Sequence, residues 1–457
     1  MVVNTNIQLF LNIYTFSPQV FRLSPSIRSD GSSRFGKNSK YGYFPSAALM
    51  WRVSGERFMQ NISVISDLKL RLSYGSTGNN NIGNYEHYAL VSYPSHIFGG
   101  QAVGGMAPNN LENSVLTWEK QRSANFAIDA SFLKNRINLT AEYYVARNHQ
   151  LLYNVNIPMI SGFTRALQNI GEVENKGWDF TLKTVNLNGK VNWSTDFNIS
   201  TFKNKVLKLG PEGDPIINTM HITQIGSPVG MFYGHKTDGV FKSQAELDAG
   251  PIWGNGAAAS HVGDIRFKDL NGDGVITAEG DKTIIGSPYP DFYGGMTNTV
   301  SYKNFQLSVA IQFNYGNQVG YTQDYKMYTR AKYKQFKSKE VWPFWRSEED
   351  PGNGIAPRPH NNPTGGVREK SDRYLDDGSF LKVSNINLSY TFPRQIVQNL
   401  HLSSLRLYTS VNNAFLFTKF KDSNPEVSNN SSALQPGMFD YNYPLAISLL
   451  FGINVTF

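Results

Sequence analysis

The stretch F-Q-L-S-V-A-I-Q-F-N-Y, at residues 305–315, decides the fold class of this chain. Apolar or aromatic residues occupy every odd position from Phe305 to Tyr315, and Gln, Ser, Ala and Asn occupy the even positions. Because successive side chains of a β-strand point to opposite faces, this alternation predicts a strand with one apolar and one polar face. Similar alternation recurs at residues 68–74, 137–145 and 191–199, so we predict an all-β protein.

Strand length and loop order separate a membrane barrel from a soluble sandwich, since both alternate. We predict about twelve strands of roughly ten or more residues, the length that crosses a bilayer when tilted, whereas soluble strands average about five to six. Short turns at residues 133–136, 188–190 and 303–304 alternate with long polar loops at 78–114, 148–174, 202–292, 317–379 and 416–442. This is the pattern of a transmembrane antiparallel β-barrel with long extracellular loops, which we predict for this chain.

Composition narrows the classes of function. The 457 residues include no cysteine, which excludes disulfides, thiolate zinc sites and cysteine nucleophiles. The formal net charge of +8 permits anionic partners such as lipopolysaccharide, but the basic residues form no run, so we expect no nucleic-acid partner. The sequence contains neither an H-E-x-x-H nor a G-x-S-x-G motif, and we expect no enzyme activity.

Two features of the C-terminal region bear on the register of the strands. The apolar positions change parity between Val383 and Ile386, which predicts a β-bulge near Ser384 and Asn385. The last strand alternates from residue 445 to the terminal Phe457. An amphipathic last strand that ends on Phe resembles the signal read by the bacterial barrel-assembly machinery.

The segment D-L-N-G-D-G-V-I-T, at residues 269–277, matches the first nine positions of a calcium loop. Such loops fold oxygen donors at alternate positions around a hard cation. Gly280 takes the twelfth position, where a bidentate acid is expected, and the next residue is acidic. The candidate ligands are Asp269, Asn271, Asp273, the carbonyl of Val275, and Asp281. The alternative is an Asx-rich turn without metal.

Aromatic residues are concentrated in the loop at residues 317–379. Exposed aromatic rings stack on sugars, so we predict Tyr333, Trp342 and Trp345 as ligand-contact candidates. The alternative is that these rings pack the loop against its neighbours or contact a partner protein.

Several segments, taken together and in order, resemble the SusC/RagA family of TonB-dependent transporters. They are R-S-D-G-S-S-R-F-G at residues 28–36, Y-F-P-S-A at 43–47, L-K-L-R at 68–71 with S-Y-G at 73–75, N-I-G-E-V-E-N-K-G at 169–177, G-D-I-R-F-K at 263–268, the acidic loop, I-G-S-P-Y-P-D at 285–291, S-F-L-K-V at 379–383, N-P-E at 424–426 and G-I-N-V-T-F at 452–457. The resemblance implies import of glycan fragments or peptides through the outer membrane. It also implies a SusD-like surface lipoprotein and energy from TonB.

We assign residues 22–457 to the C-terminal part of such a barrel and make no assignment for residues 1–21. The family fold has about 22 strands, so the resemblance implies a partial transmembrane β-barrel of about 12 of about 22 strands. A plug domain, a TonB box and a signal peptide are not recognised, so we expect a truncated barrel. An open sheet in lipid leaves unpaired backbone groups at its edges, and we expect no transport by this chain alone. The alternatives are a soluble calcium-dependent carbohydrate-binding β-protein and a complete small barrel with its own pore or enzyme activity.

Overall fold

The computed structural model describes the chain except for residues 1–6, 13, 14, 17–19, 158, 164, 255–258, 322–343, 360–365, 367, 368, 400, 422, 423, 427–431 and 440–442. The chain divides into two compact units. The first comprises Met1–Pro215 and Gln224–Pro228, and the second comprises Ile216–Thr223 and Val229–Phe457. Each unit contains long antiparallel strands.

The first unit contains long strands that share one sheet, one short strand that pairs at residues 15 and 16 with that sheet, and four short strands within one long connection. In chain order they are β1 (Ile7–Asn12), β2 (Thr15–Phe16), β3 (Phe21–Gly31), β4 (Tyr41–Arg52), β5 (Ile65–Asn79), β6 (Val91–Ser92), β7 (Ser95–Phe98), β8 (Gln101–Gly104), β9 (Ala107–Pro108), β10 (Glu119–Phe132), β11 (Ile137–Asn156), β12 (Arg165–Leu187) and β13 (Val191–Lys208).

The long strands of the first unit pair antiparallel in the order β1-β3-β4-β5-β10-β11-β12-β13, which follows the chain. Short turns join β10 to β11 and β12 to β13, as predicted, whereas β5 and β10 are joined by a long connection. Within residues 1–21, the backbone of β1 pairs with β3, with Ile7 opposite Gly31.

One face of this sheet is apolar and exposed. Leu72, Phe126, Tyr143 and Trp178 form one row across β5, β10, β11 and β12. Phe126 and Trp178 are 43% and 44% exposed although both are large. Contiguous exposed apolar surface on this scale is rare on soluble monomers, so this face requires an apolar environment.

The second unit contains the remaining strands. They are β14 (Ile216–Asn218), β15 (His221–Thr223), β16 (Met231–His235), β17 (Thr237–Val240), β18 (Ile252–Trp253), β19 (Ile265–Phe267), β20 (Val275–Ile276), β21 (Lys282–Gly286), β22 (Phe292–Tyr302), β23 (Phe305–Tyr315), β24 (Gln318–Tyr321), β25 (Leu375–Asp377), β26 (Phe380–Thr391), β27 (Ser404–Thr418), β28 (Met438–Phe439) and β29 (Ser448–Thr456).

The long strands of the second unit pair antiparallel in the order β22-β23-β26-β27-β29. The predicted bulge is present in β26. Ile311 lies opposite Val383 and Ala310 lies opposite Asn385, so Ser384 is the extra residue. The hydroxyl of Ser384 donates to the carbonyl of Ala310 at 3.2 Å. The bulge keeps the apolar side chains of β26 on one face on both sides of Ser384.

The long connections of the second unit fold into small sheets with cores of their own. β14, β15, β16 and β21 form one such sheet, and β24 pairs with β25 and β28 in another. Phe232 is fully buried beside Met220, Tyr374 and Met438. These loops are therefore packed structures rather than extended tethers.

Helices in the described part of the chain are short. The α-helices are α1 (Gln244–Ala249), α2 (Ala278–Asp281) and α3 (Arg394–Asn399), and the 3-10 turns are Val53–Gly55, Arg57–Met59, Met159–Ser161 and Asp372–Tyr374. Among the described residues, no helix has the length and apolar character needed to cross a membrane.

The loop predicted at residues 148–174 is mostly strand. β11 runs to Asn156 and β12 begins at Arg165, and these two residues pair with each other. Only residues 157–164 connect them. β13 likewise continues to Lys208, beyond the predicted start of the next loop at residue 202.

Candidate functional site

The polar face of the first unit carries a cluster of charged and amide side chains. Arg71 on β5 donates two hydrogen bonds to the carboxylate of Asp129 on β10, at 2.6 and 3.1 Å. Thr140 on β11 donates to the same carboxylate at 2.9 Å, and Asn125 donates to Glu142 at 2.8 Å. These partly exposed groups satisfy one another, so the face is suited to an aqueous interior.

Sequence reasoning identifies these positions only as polar. Arg71 lies beside Asp129 and Glu142 because of the register in which three strands pair. The residue pattern of a single strand does not reveal which residues of its neighbours lie opposite. The sequence signal that could have identified this cluster is the presence of opposite charges at polar-face positions of consecutive strands.

The polar face of the second unit has a similar network. The amide of Asn385 donates to Ser410 and to Asn412, both at 2.7 Å. On the same strand, the ammonium of the buried Lys382 donates to the carboxylate of Glu426 at 2.5 Å. Glu426 belongs to the N-P-E motif, which therefore ties a loop to the polar face of β26.

The N-x-G-x-x-x-N-x-G motif at residues 169–177 has a structural role at the loop end of β12. The Asn169 side chain accepts from the Thr117 N–H at 3.0 Å and donates to the Thr117 carbonyl at 2.9 Å, as a neighbouring strand would. Asn175 accepts from Asn204 at 2.7 Å. A Cβ at Gly177 would collide with the backbone carbonyl of Thr201, so only glycine permits this close pairing of β12 and β13.

The G-D-I-R-F-K motif explains the position of Trp345. Gly263 has a φ of +84°, and a Cβ there would lie 2.5 Å from the Trp345 ring. The indole N–H donates to the carbonyl of Lys242 at 3.1 Å. The adjacent Asp264 is fully buried and accepts from Arg358 at 2.9 Å. Trp345 thus packs one loop against another, while Tyr333 and Trp342 lie outside the described residues.

The acidic loop is a compact turn held by its own side chains. The Asp269 carboxylate accepts from the N–H groups of Gly272 and Gly274, at 2.6 and 2.8 Å, and these bonds lower the pKa of Asp269. The amide of Asn271 donates to Asp273 at 2.8 Å, and the other oxygen of Asp273 accepts from the Val275 N–H. The turn therefore brings together the side chains of Asp269, Asn271 and Asp273, three of the candidate ligands, beside the backbone of Val275.

Asp281 has a different environment from the other candidate ligands. Its side chain is fully buried, and its two oxygens accept from the N–H groups of Leu270 and Thr277, at 2.7 and 2.8 Å. Both oxygens are therefore used to close the base of the loop. Within the described ranges, no group of three or more His, Asp or Glu side chains is arranged to hold a metal ion. The donor set therefore fits calcium only if Asp281 exchanges its backbone partners for the ion.

Buried titratable groups support the loop structure of the second unit. His221 and His235 are almost fully buried, and burial lowers the pKa of each. The Tyr289 hydroxyl donates to the Val229 carbonyl at 2.8 Å, and burial raises its pKa to about 12. These groups are neutral at neutral pH, so they brace the loops without adding charge.

These features define an outer-membrane β-barrel protein. Long antiparallel strands expose an apolar face, present a hydrogen-bonded polar face on the other side, and alternate short turns with folded loops. The chain belongs to the family of TonB-dependent receptor-like β-barrels, whose model matches residues 5–414. The predicted outer-membrane location and the absence of enzyme activity are confirmed by this membership, and the soluble alternative is excluded.

Comparison with individual proteins confirms the resemblance to SusC and RagA. TonB-dependent receptor P39 of Formosa agariphila is 34% identical over 478 residues, covering 96% of this chain and 45% of the receptor. TonB-dependent receptor SusC of Bacteroides thetaiotaomicron is 30% identical over 458 residues, covering 94% and 42%. The structure of the RagAB peptide transporter matches with a TM-score of 0.83 at 26% identity, covering 99% of this chain and 47% of that one. This chain thus spans less than half the length of these relatives.

Proposed function

We propose that this chain supplies the C-terminal barrel wall of a SusC/RagA-type importer. The whole receptor takes up glycan fragments or peptides, works with a SusD-like surface lipoprotein, and is energised by TonB. The relationship to a structure described as a peptide transporter supports peptides as one substrate class. The motif resemblance supports glycan fragments as the other.

One observation supports this proposal above the others, which is the polar face that the long strands of each unit present. Arg71, Asp129 and Glu142 in the first unit, and Asn385 with Ser410 in the second, satisfy each other's hydrogen bonds while part of each surface stays open. A wall of this kind suits the passage of a hydrated solute, because its polar groups are already hydrogen-bonded and partly exposed to water.

The proposal is tested in cells that carry the complete receptor at its natural locus. An affinity tag on the receptor is expected to co-purify a surface lipoprotein. Uptake of a labelled oligosaccharide mixture or of labelled peptides is expected to fall when the receptor gene is deleted and to return when it is restored. Uptake is also expected to fall when TonB is inactivated.

The two substrate classes serve as controls for each other. Loss of uptake for one class and not the other identifies the cargo. Unchanged uptake of both, with no lipoprotein in the purified complex, contradicts the proposal.

A further inference from the structure

A cavity of about 490 Å³ lies in the first unit, beside the ends of β11 and β12 from which their connection leaves. This volume is in the range of small-ligand sites. One wall comes from the connection that precedes β10, and the two strand ends supply the rest. The described lining includes Leu111, Glu112, Val115, Gln150, Leu167 and Gln168. We call this space the bulge cavity, because Gln150 lies in a β-bulge.

Gln150 is held in an unusual backbone conformation. The residues before and after it, His149 and Leu151, pair with two consecutive residues of β12, so Gln150 is an extra residue of β11. Its φ is +57°, in the left-handed region that favours glycine. The carbonyl of Gln150 accepts from the Asn169 side chain at 2.9 Å, which supports this conformation. Bulges and strained residues of this kind are common at binding sites, where they redirect a side chain.

The walls of the bulge cavity are preformed by other side chains. Asn113 donates to the carbonyl of Leu167 at 2.7 Å. Asn169 ties the end of β12 to the backbone of Thr117. Leu167 also packs against the buried core that contains Trp118. Binding therefore needs to order little of the protein, which favours affinity.

Three polar side chains of the lining remain available to a ligand. Those of Glu112, Gln150 and Gln168 form no hydrogen bond or ion pair with any residue that the structure describes. Each glutamine amide offers donors and an acceptor, whereas the carboxylate offers acceptors alone. Among the described lining residues, only Glu112 is charged. The cavity therefore suits a ligand that has donors, acceptors and one positive charge.

Asn169 shows how an amide side chain holds a peptide group at this place. It accepts from the N–H of Thr117 at 3.0 Å and donates to the carbonyl of the same residue at 2.9 Å. A glutamine amide presents the same two functions, so it can hold a backbone group of an incoming chain in the same way.

The remaining surface of the bulge cavity is aliphatic. Leu111 and Val115 are 38% and 77% exposed, and Ala166 and Leu167 complete this part of the lining. No aromatic residue belongs to the described lining, so the cavity offers no flat ring on which a sugar would stack. An aliphatic side chain of a peptide gains more from this surface than a sugar does.

We propose that the bulge cavity binds the free amino end of a short peptide. The amides of Gln150 and Gln168 hold its first backbone groups, and Glu112 accepts from its ammonium group. An aliphatic first side chain lies against Leu111 and Val115. This role rests on the proposed import function and assigns peptides as its cargo.

The test measures binding to the purified chain in detergent micelles by equilibrium dialysis. The probes are the labelled tripeptide leucyl-alanyl-alanine, the same peptide acetylated at its amino group, and cellotriose. We expect the free peptide to bind about tenfold more tightly than the acetylated one, because acetylation removes a hydrogen bond between charged groups. Cellotriose is expected to bind more weakly than either peptide.

Two substitutions place the binding in the cavity. Glu112→Gln is expected to abolish the preference for the free amino group and to leave binding of the acetylated peptide unchanged. Gln150→Gly suits the left-handed backbone and removes the amide. It is expected to keep or raise the unfolding temperature while weakening both peptides about fivefold. A damaged fold cannot mimic either result.

Each substitution has a matched control outside the cavity. Glu212→Gln removes an exposed carboxylate, and Lys134→Gly replaces another residue of positive φ, +56°, in the turn between β10 and β11. Neither is expected to change peptide binding. Equal affinity for the free and acetylated peptides, unchanged binding in Gln150→Gly, or equal loss in a control would overturn the proposal. Tighter binding of cellotriose that also depends on Gln150 would overturn the assignment to peptides.

Uptake by cells that carry the complete receptor separates a failure here from a failure of the proposed function. Peptide uptake that continues unchanged with Glu112→Gln and with Gln150→Gly would overturn the role of the cavity and leave the importer intact. Unchanged uptake after deletion of the receptor gene, with no co-purified lipoprotein, would overturn the importer, and the dialysis result would still decide whether the cavity binds peptides.

Discussion

Strands β10–β13 and the loop segment at residues 216–291 are stabilised in different ways. In the strands, the environment of each side chain depends on whether its position along the strand is odd or even, and large residues such as Phe126 remain exposed. In the loop segment, Met220 and Phe232 are 1% and 0% exposed and pack with Tyr374, which is distant in the chain. Stability is spread over a repeating backbone ladder in the strands, whereas a few buried side chains hold the loops.

The largest expected effect separates these two modes of stabilisation. Phe232→Ala removes the central ring of a loop core and is expected to cost about 3–5 kcal/mol of local stability. Hydrogen exchange followed by mass spectrometry should show faster exchange in residues 216–291 and unchanged exchange in β10–β13. The control is Phe451→Ala, which truncates a ring that is 77% exposed on the apolar face. Uniform loss of protection throughout the chain would contradict the comparison.

A second substitution tests the backbone pairing of the long strands. Gly177→Ala places a methyl group against the backbone carbonyl of Thr201 and is expected to cost about 1–3 kcal/mol, because β12 and β13 must move apart. The measurement is the temperature at which the folded band disappears in heat-modifiability gels. Gly189→Ala is the matched control, since a Cβ there meets nothing within 4 Å. Equal midpoints for the two variants would show that the close approach is unimportant.

A third substitution tests the tie between strand and loop. Lys382→Met removes the ammonium that holds the exposed Glu426 and is expected to cost about 1 kcal/mol. Limited proteolysis should then cut residues 419–447 faster. Lys183→Met is the control, because its side chain is 65% exposed and its contact with Asp196 is 3.7 Å long. Proteolysis at the unsubstituted rate would show that the N-P-E motif holds the loop by other contacts.

The pH dependence should also differ between the two regions. His221 and His235 have pKa values lowered by burial, and in the unfolded chain they take up protons below about pH 6.5. The folded loops bind fewer protons there, so their stability is expected to fall as the pH drops through that value. For His235, Lys282 lowers the pKa further, while Glu369 and Asp281 oppose the shift. The measurement is the protection of residues 216–291 at about pH 8 and about pH 5.5, with each exchange rate divided by the intrinsic rate of an unfolded chain at that pH. Exposed His401→Gln should leave the profile unchanged, and a flat profile in the unsubstituted chain would refute the expectation.

The smallest expected effect concerns the acidic loop. If calcium binds, it stabilises the folded loop by mass action and slows exchange at residues 269–281. Calcium added after chelation should produce this protection, and Asp269→Asn should abolish it. Magnesium is the matched ion, since it requires a tighter octahedral site. Protection that does not respond to calcium would favour the metal-free Asx turn.

Alternation in the sequence predicts the strand faces and even the bulge, because Val383 and Ile386 cannot share a face without an extra residue. It fails at residues 148–174 for a physical reason. At these strand ends neither face meets lipid, and Leu152 and Leu167 pack instead against a loop core that contains Phe35 and Trp118. The lipid-facing alternation therefore does not mark this part of β11 and β12. The cluster around Arg71 is also out of reach, since it depends on register across three strands. The loop cores join residues such as Phe232 and Tyr374, whose proximity no local pattern records.

The extra residue in β26 divides that strand into two halves whose side-chain faces are set independently of each other. The loop half, with Lys382, faces the N-P-E motif, and the turn half, with Leu388, keeps its own set of lipid contacts. Deleting Ser384 alone would invert one half and place Lys382 toward the acyl chains or Leu388 toward water. Natural variation in strand length is therefore expected to enter here as paired insertions and deletions, so that loops can diversify while the membrane surface stays the same.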